Sequence, residues 1–473
     1  MNIHNFATME RDALDFGRMN IPRLFIKLFV PTLLGMLFGA MLNIADGIFV
    51  GRGVGSDALA AVNIAAPLFL IATGVALMFG SGVSVVAAVH LSHDNVKAAR
   101  INVTQAFTVG GLLMTLIALA VLLLPRQTAL LFGGTERLMP YVLDYLRWIA
   151  PSMPLSVVMF SGMFVLRLDG SPRFAMMVNV ATSLLNVVLD YLMVFPLHMG
   201  IAGAAIATTT SEVIGAIAIL YYMFFSSRTL RFYRPKLSPK GIQLTARNVG
   251  YMARLGLSTL IGELAISCMM IVGNYMFVRR LGEDGVAAFS VACYLFPLVF
   301  MIGNAIAQSA LPIVSYNYGL KEWQRIRRTR RLSLLLAAVC GLLTTLVGVL
   351  FSPTVAALFL PSGQPAWQIA ADGFPLYSLS FVLFAVNIVL IGYYQSIEQA
   401  KTATFFMLLR GFIIIIPTFI LLPRLVGDAG LWLAVPLSEF LTLIAMLGYG
   451  IRQRQVYIRN LPQNCSKFRI EHE

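Results

Sequence analysis

Charged side chains are scarce in this chain. They make up 12% of its 473 residues, against about 25% in an ordinary soluble domain, which excludes a soluble globular fold. Cysteine is scarce as well. Cys268, Cys293, Cys340 and Cys465 have no metal-ligand or redox spacing, and three of them lie in apolar stretches where a small core residue suffices. His4, His90, His93, His198 and His472 lie at ends or in loops, again without ligand spacing. There is no GxxxxGK[ST] phosphate loop, which excludes a P-loop ATPase, and GVGSD at Gly53 is too short to cradle a nucleotide. No catalytic constellation is visible, so neither an enzyme nor a cofactor is expected. The opening MNIHNFATMERDALDFG has no apolar core followed by a cleavage site, so it is not expected to be a signal peptide.

What the chain has in abundance is long apolar runs. Hydrophobic residues make up 58% and the mean hydropathy is +0.81. Runs of roughly 20 residues, enough to cross a bilayer as helix, recur from end to end and predict an all-α polytopic membrane protein. Twelve spans are expected, at about 23–50, 58–90, 102–124, 141–166, 174–196, 200–225, 251–278, 285–315, 332–351, 367–395, 402–422 and 430–451. Many contain proline, among them Pro31, Pro67, Pro154, Pro297, Pro375, Pro417 and Pro436. Such breaks are tolerated where neighbouring helices or water satisfy the freed carbonyls. The net charge of +14 lies in short loops, where it reads as a topology signal rather than a nucleic-acid surface. Alternate loops and the termini hold 27 Lys and Arg, the other loops 7, with Arg410 inside a span. This predicts that both termini are cytoplasmic. The longest polar connection, 226–249, is basic and divides six spans from six.

The two halves repeat. IFVGRGVGSDALAA (48–61) matches YMFVRRLGEDGVAA (275–288) at an offset of 227 without a gap, pairing Arg52 with Arg279, Gly55 with Gly282 and Asp57 with Asp284. PTLLG at Pro31 pairs with STLIG at Ser258, and GIAGAAIATTTSE (200–212) with GDAGLWLAVPLSE (427–439), at the same offset. Six spans is an even number, so the halves insert the same way up, as a parallel repeat. The expected units are a first lobe (1–225), a linker (226–249), a second lobe (250–455) and a cytoplasmic tail (456–473).

The buried polar groups are not repeated. Along span 5, Asn179, Ser183, Asn186 and Asp190 recur at helical spacing on one face. Asp46 near the outer end of span 1, Thr208 in span 6 and Tyr145 at the start of span 4 share the depth of Asn186 and Asp190. In the second half, Asp46, Asn186 and Thr208 give way to Gly273, Ile413 and Val435, and Asp190 falls opposite Val or Pro. Asp46, Asn186, Asp190 and Thr208 would form an all-oxygen site for a hard cation such as Na⁺. Two close carboxylates cannot both stay ionised without a counter-charge, so the pair must share a proton or bind a cation. The alternative is that each group satisfies a separate helix-packing hydrogen bond. Glu263, midway along span 7, could neutralise a cationic substrate or move a proton. Met41, Asn179, Ser183 and Tyr275 are weaker candidates for substrate contact, and Met and Tyr residues suit flat cationic compounds. Glu212 and Glu439 are duplicated, which favours a scaffold role; Arg410 could pair with Glu439 or Glu263.

NIADGIFVGRGVG (43–55) and LLNVVLDYLMVFPLHMGIAGAAIATT (184–209) resemble the multidrug and toxic compound extrusion (MATE) family, as do twelve spans in two parallel repeats. The resemblance implies an inner-membrane antiporter, a monomer in the bilayer, that exports cationic or amphipathic organic compounds in exchange for Na⁺ or H⁺. It carries the family's first-lobe cation site onto Asp46, Asn186, Asp190 and Thr208, with Tyr145 nearby. The usual span 7 proline is Ser258 here, Glu263 lies about a turn early for a span 7 acid, and span 10 has no deep acid. A flippase for lipid-linked saccharide precursors is the alternative; it would call for an arginine-rich cavity, whereas buried arginine here is expected to amount at most to Arg410 and Arg147.

Overall fold

A computed structural model describes residues 14–54, 56–132, 136, 138–234 and 238–459, apart from the side chains at 42–48, 51, 52, 56, 57, 59, 60, 63 and 454–459. Among these residues the chain is helical with no strand. The first lobe comprises α1 (Ile21–Gly53), α2 (Ser56–Ser92), α3 (Val96–Leu123), α4 (Met139–Leu168), α5 (Pro172–Val194) and α6 (Gly200–Tyr221).

Helical hydrogen bonding then runs unbroken from Pro239 to Gly319, 81 residues, but Gly282 within it has φ 68° and ψ −156°. At about 1.5 Å per residue a straight rod of that length would overshoot any bilayer. The chain instead doubles back, and the rings of Phe277 and Phe289 stack 4.5 Å apart. Glycine permits this backbone conformation, which a side chain would strain. The segment is therefore two spans, α7 (239–281) and α8 (283–319). The second lobe continues with α9 (Trp323–Leu350), α10 (Pro365–Ser396), α11 (Ala400–Val426) and α12 (Ala429–Arg459). Among the described residues eleven continuous helices are long and apolar enough to cross a membrane, and the reversal at Gly282 makes twelve crossings.

The repeat recurs in the backbone. Asp94 and Lys321, 227 apart, both take the left-handed conformation that ends α2 and α8, and Gly200 and Gly427 both have positive φ before α6 and α12. Short helices at Pro125–Leu131 and Ser352–Ala357 occupy matching places. Both fourth helices are interrupted, α4 by a 3₁₀ turn at Ala150–Ser152 and α10 at Leu379. Within the lobes α1 packs on α5 and α5 on α6, as α7 packs on α11 and α11 on α12.

The polar connection is shorter than the sequence suggests. Ser238 accepts a hydrogen bond from the Gly241 amide (3.1 Å) and Pro239 opens the helix, so α7 starts about a dozen residues before the apolar run. The start of the connection is pinned to the first lobe by Asp169, which accepts from Tyr222 Oη (2.7 Å) and from the Leu230 amide (3.0 Å).

The lobes meet where α2 crosses α7 and where α1 meets α8. The first crossing is reciprocal: a methyl on Gly82 would sit 2.1 Å from the Met252 carbonyl oxygen, and one on Gly256 1.8 Å from that of Met78. Small residues let the backbones approach this closely. Hydrogen bonds between the lobes gather toward the face where the described chain begins and ends. Ser81 Oγ and Thr259 Oγ1 are 3.0 Å apart, and Gln395 Nε2 donates to Ser81 Oγ (3.0 Å). Arg167 Nη1 donates to Gln308 Oε1 (2.7 Å), and Asn317 Nδ2 to the Phe16 carbonyl (3.0 Å).

Gly256→Ala should therefore push α2 and α7 apart and lower stability by about 1–3 kcal/mol, the usual cost of overpacking. Thermal unfolding of the detergent-purified protein would read this as a reduced midpoint. An unchanged midpoint would show that the lobes do not rest on this crossing.

Candidate functional site

The stripe on α5 faces both of its neighbours. Asn179 Nδ2 donates to the Gly35 carbonyl of α1 (3.2 Å), and Asn186 Nδ2 to Thr208 Oγ1 of α6 (3.4 Å). Thr208 in turn donates to the Ala204 carbonyl (3.2 Å). Asp190, one turn beyond Asn186, is 0% exposed. The far end of α1 is held to this part of α5 by Phe49, whose ring meets Tyr191 edge-on at 6.4 Å and Phe195 at 5.9 Å. The turn of α1 carrying position 46 thus lies beside the turn carrying Asp190. The Asp46 side chain itself lies outside the described residues.

Asn186 and Thr208 are therefore in contact, and Asp190 follows them on the same helix. Tyr145 lines a cavity between α2, α4 and α6 that also holds Ser152, Ser156 and Glu212, the last one turn along α6 from Thr208. Among the described residues no three of His, Cys, Asp and Glu gather into a metal-holding group.

Glu263 lines a separate pocket on the lobe boundary, with Ser81 and Phe164 from the first lobe and Thr259, Asn304, Gln308, Gln395 and Met407 from the second. Its carboxylate has no hydrogen-bonding partner among the described residues. Met41 and Tyr275 are exposed, at 62% and 61%, and neither lines this pocket. Asn179 is engaged with α1, and Ser183, on the same face of α5, is likewise absent from the pocket.

The buried basic residues differ from expectation. Arg147 is exposed, whereas Arg167 is buried, stacks on Phe164 with its guanidinium 5.2 Å from the ring centre, and reaches Gln308 across the boundary. Sequence reasoning placed Arg167 among the loop cations, because it ends an apolar run. A signal was available: Ser81 and Gln308 are 227 apart, and Arg167 and Gln395 are 228 apart. The contacts Ser81–Gln395 and Gln308–Arg167 are thus one contact made twice, each lobe lending its second helix to the end of the other's fourth.

Arg410 resolves to Glu439, not Glu263. Its Nη2 and Nε donate to Glu439 Oε1 at 2.6 and 3.0 Å, and Asn387 Nδ2 donates to Oε2 at 2.7 Å. The guanidinium also lies 4.4 Å from the centre of the Phe384 ring. α11 widens into a π-turn at Leu409–Ile414 around this arginine, and the Arg410 carbonyl accepts from Ser438 Oγ (3.3 Å). The ion pair is a strut inside the second lobe.

Two six-helix lobes in parallel repeat, a polar stripe in one lobe that ends on the buried Asp190 and a pocket on the boundary define a multi-pass membrane protein of the transporter kind. The MatE family model matches residues 31–192 and again 259–420, more than half of the chain and in register with the internal repeat. The chain belongs to this family. It is 25% identical over 442 residues to a protein named FAD transporter from Shewanella oneidensis, covering 92% of this chain and 95% of that one. It is 23% identical over 442 residues to the multidrug export protein MepA of Staphylococcus saprophyticus, covering 90% and 93%. A multidrug resistance MATE family transporter solved in an outward-facing conformation superposes with a TM-score of 0.86 at 22% identity, over 94% of this chain and 98% of the other; this shows the shared fold.

Removing one partner of a buried ion pair strands the other charge and costs about 3–5 kcal/mol, while replacing both with apolar groups is often neutral. Arg410→Met should therefore lower the thermal midpoint in detergent sharply, and Arg410→Met with Glu439→Leu should recover most of the loss. A double variant as unstable as the single one would show that the pair does more than brace the lobe.

Proposed function

We propose that the chain is a secondary active antiporter. It exports cationic or amphipathic organic compounds in exchange for Na⁺ or H⁺ bound in the first lobe. The observation that carries this reading is the fully buried Asp190, one turn from the Asn186–Thr208 contact, in a lobe whose counterpart has Ile413 and Val435 at the equivalents of Asn186 and Thr208. A carboxylate at membrane depth faces protein or a wet cavity and marks ion pathways. Asp46 and Asp190 together would take up one cation or proton. Asn186, Thr208 and Tyr145 would provide further oxygens, and the lobe would rearrange around the occupied site.

The distribution of Lys and Arg supports cytoplasmic termini in the cytoplasmic membrane. The inter-lobe hydrogen bonds would then close the cytoplasmic side, and alternating access would proceed by parting them while the far side closes. The Glu263 carboxylate in the boundary pocket suits a cationic compound, a chemistry compatible with the MepA relatives. An anionic flavin dinucleotide, the cargo for which the Shewanella relative is named, would be repelled there. Each inward unit charge supplies about 2.3 kcal/mol per 100 mV of membrane potential.

Asp46→Asn and Asp190→Asn should each insert normally and yet reduce substrate uptake into everted vesicles to that of vesicles lacking the protein. Imposing a Na⁺ gradient and a pH gradient separately identifies the coupling ion. Wild-type uptake by both variants would refute the first-lobe site.

A further inference from the structure

The two lobes place a glutamate at the same point of their last helix and treat it differently. In the second lobe Glu439 is neutralised by Arg410 and held by Asn387. At the 227-residue offset Arg410 corresponds to Ser183 and Asn387 to Phe160. Glu212 therefore occupies the duplicated position without the cation or the amide. It is only 9% exposed, and its Oε2 meets no hydrogen-bonding partner among the described residues. Ser152, at the interruption of α4, lines the same cavity, and its hydroxyl donates to the Ile149 carbonyl (2.9 Å).

Glu212 faces the cavity between α2, α4 and α6. Among the described residues, α2 lends this space only apolar side chains, Leu68 and Phe69 among them, and α4 contributes Tyr145, Ser152 and Ser156. Tyr145 is the one other titratable group lining the cavity. An ionised carboxylate without a counter-charge is strongly disfavoured in such surroundings, so the group must carry a proton or a metal cation. Besides the carboxylate the described lining offers only neutral hydroxyls, two of them already donating to the Ile149 and Met153 carbonyls, and no second carboxylate or amide to help replace the water shell of a metal ion. The species that fits is a proton. Thr208 lies one turn away on α6, toward the far face, where Asn186 contacts it.

We propose that Glu212 is a proton-binding group of the first lobe and that it exchanges its proton through the α2–α4–α6 cavity during the transport cycle. Glu212 would stand one turn below the Asn186–Thr208 contact as a second station for the coupling proton. The proposal rests on the antiporter reading only in linking that exchange to transport.

The test compares Glu212→Gln with wild type, using ethidium as the cationic probe. The variant should keep the wild-type thermal midpoint, because it mimics the protonated form. Its uptake into everted vesicles should lose its dependence on an imposed pH gradient. Proton release by the purified protein on raising the pH should fall by about one proton per molecule. Glu212→Asp should restore the pH dependence with a displaced midpoint. A Glu212→Gln variant with the wild-type pH profile and proton count would overturn the proposal. Infrared difference spectra of the otherwise unaltered protein give a measurement that needs no glutamine variant. They should contain a protonated-carboxyl band that moves in Glu212→Asp, and its absence would equally overturn the proposal. Asp190→Asn separates the two ideas. Loss of pH-driven uptake in Glu212→Gln but not in Asp190→Asn would remove Asp190 from coupling and leave Glu212 in place; the reverse result would remove Glu212 alone.

Discussion

A charge inside a bilayer-thick slab of protein must be met by another charge, by a proton or by water, because no bulk solvent stands by to screen it. That constraint separates the two halves of this chain more sharply than any difference in backbone. The second lobe meets it permanently: Arg410 and Glu439 close a bidentate pair, both nearly inaccessible, with side-chain relative exposures of 5% and 1%. The pair ties α11 to α12, and Asn387 brings in α10. The first lobe keeps the glutamate and omits the arginine, while placing Asp190, Asn186 and Thr208 where its partner has none of these groups. One repeat is braced internally, and the other holds its glutamate without that brace.

The boundary between the lobes is built from weaker material. Its contacts include neutral hydrogen bonds, the guanidinium bonds of Arg167 to Gln308 and of Arg325 to the Phe16 and Met19 carbonyls, and close backbone packing at Gly82 and Gly256. A neutral hydrogen bond contributes about 0.5–1.5 kcal/mol net, so a handful can be parted at a cost comparable to moving one or two charges through the membrane potential. The ion pair inside the second lobe, by contrast, is expensive to break. The lobes are thus firmer within than the seam between them. The pairing of Ser81 with Gln395 and of Gln308 with Arg167 shows how duplication produces such a seam: one favourable contact, made once by each copy, closes the same face twice.

The twelve spans and the parallel repeat were legible because both rest on local composition. Apolar length marks a crossing, and the 227-residue offset needs only two stretches of chain to be compared. Even the turn at Gly282 is foreshadowed by its pairing with Gly55. The start of α7 was hidden because Ser238 and Pro239 begin a helix in polar sequence, where hydropathy gives no signal. The partner of Arg410 was undecided because span 11 places the residue within reach of more than one helix, and only packing selects among them. Arg167 was hidden by its position at the end of an apolar run, where a loop residue and a boundary residue read alike. The stripe on α5 was legible as a face, and the structure adds what it touches: α1 through Gly35 and α6 through Thr208.

Glu212 and Glu439 show where an internal repeat misleads. The same residue at the same offset invites the same role, yet a buried carboxylate is defined by what faces it, and facing positions lie on other helices. Here the decisive comparison is Ser183 with Arg410, nearly thirty residues upstream of each glutamate. Arginine at that position makes the glutamate a strut, because neither charge can leave without stranding the other. Serine leaves a carboxylate whose charge depends on the proton or ion it holds. The duplicated scaffold can thus remain nearly symmetric while a single facing position decides which glutamate is locked in an ion pair.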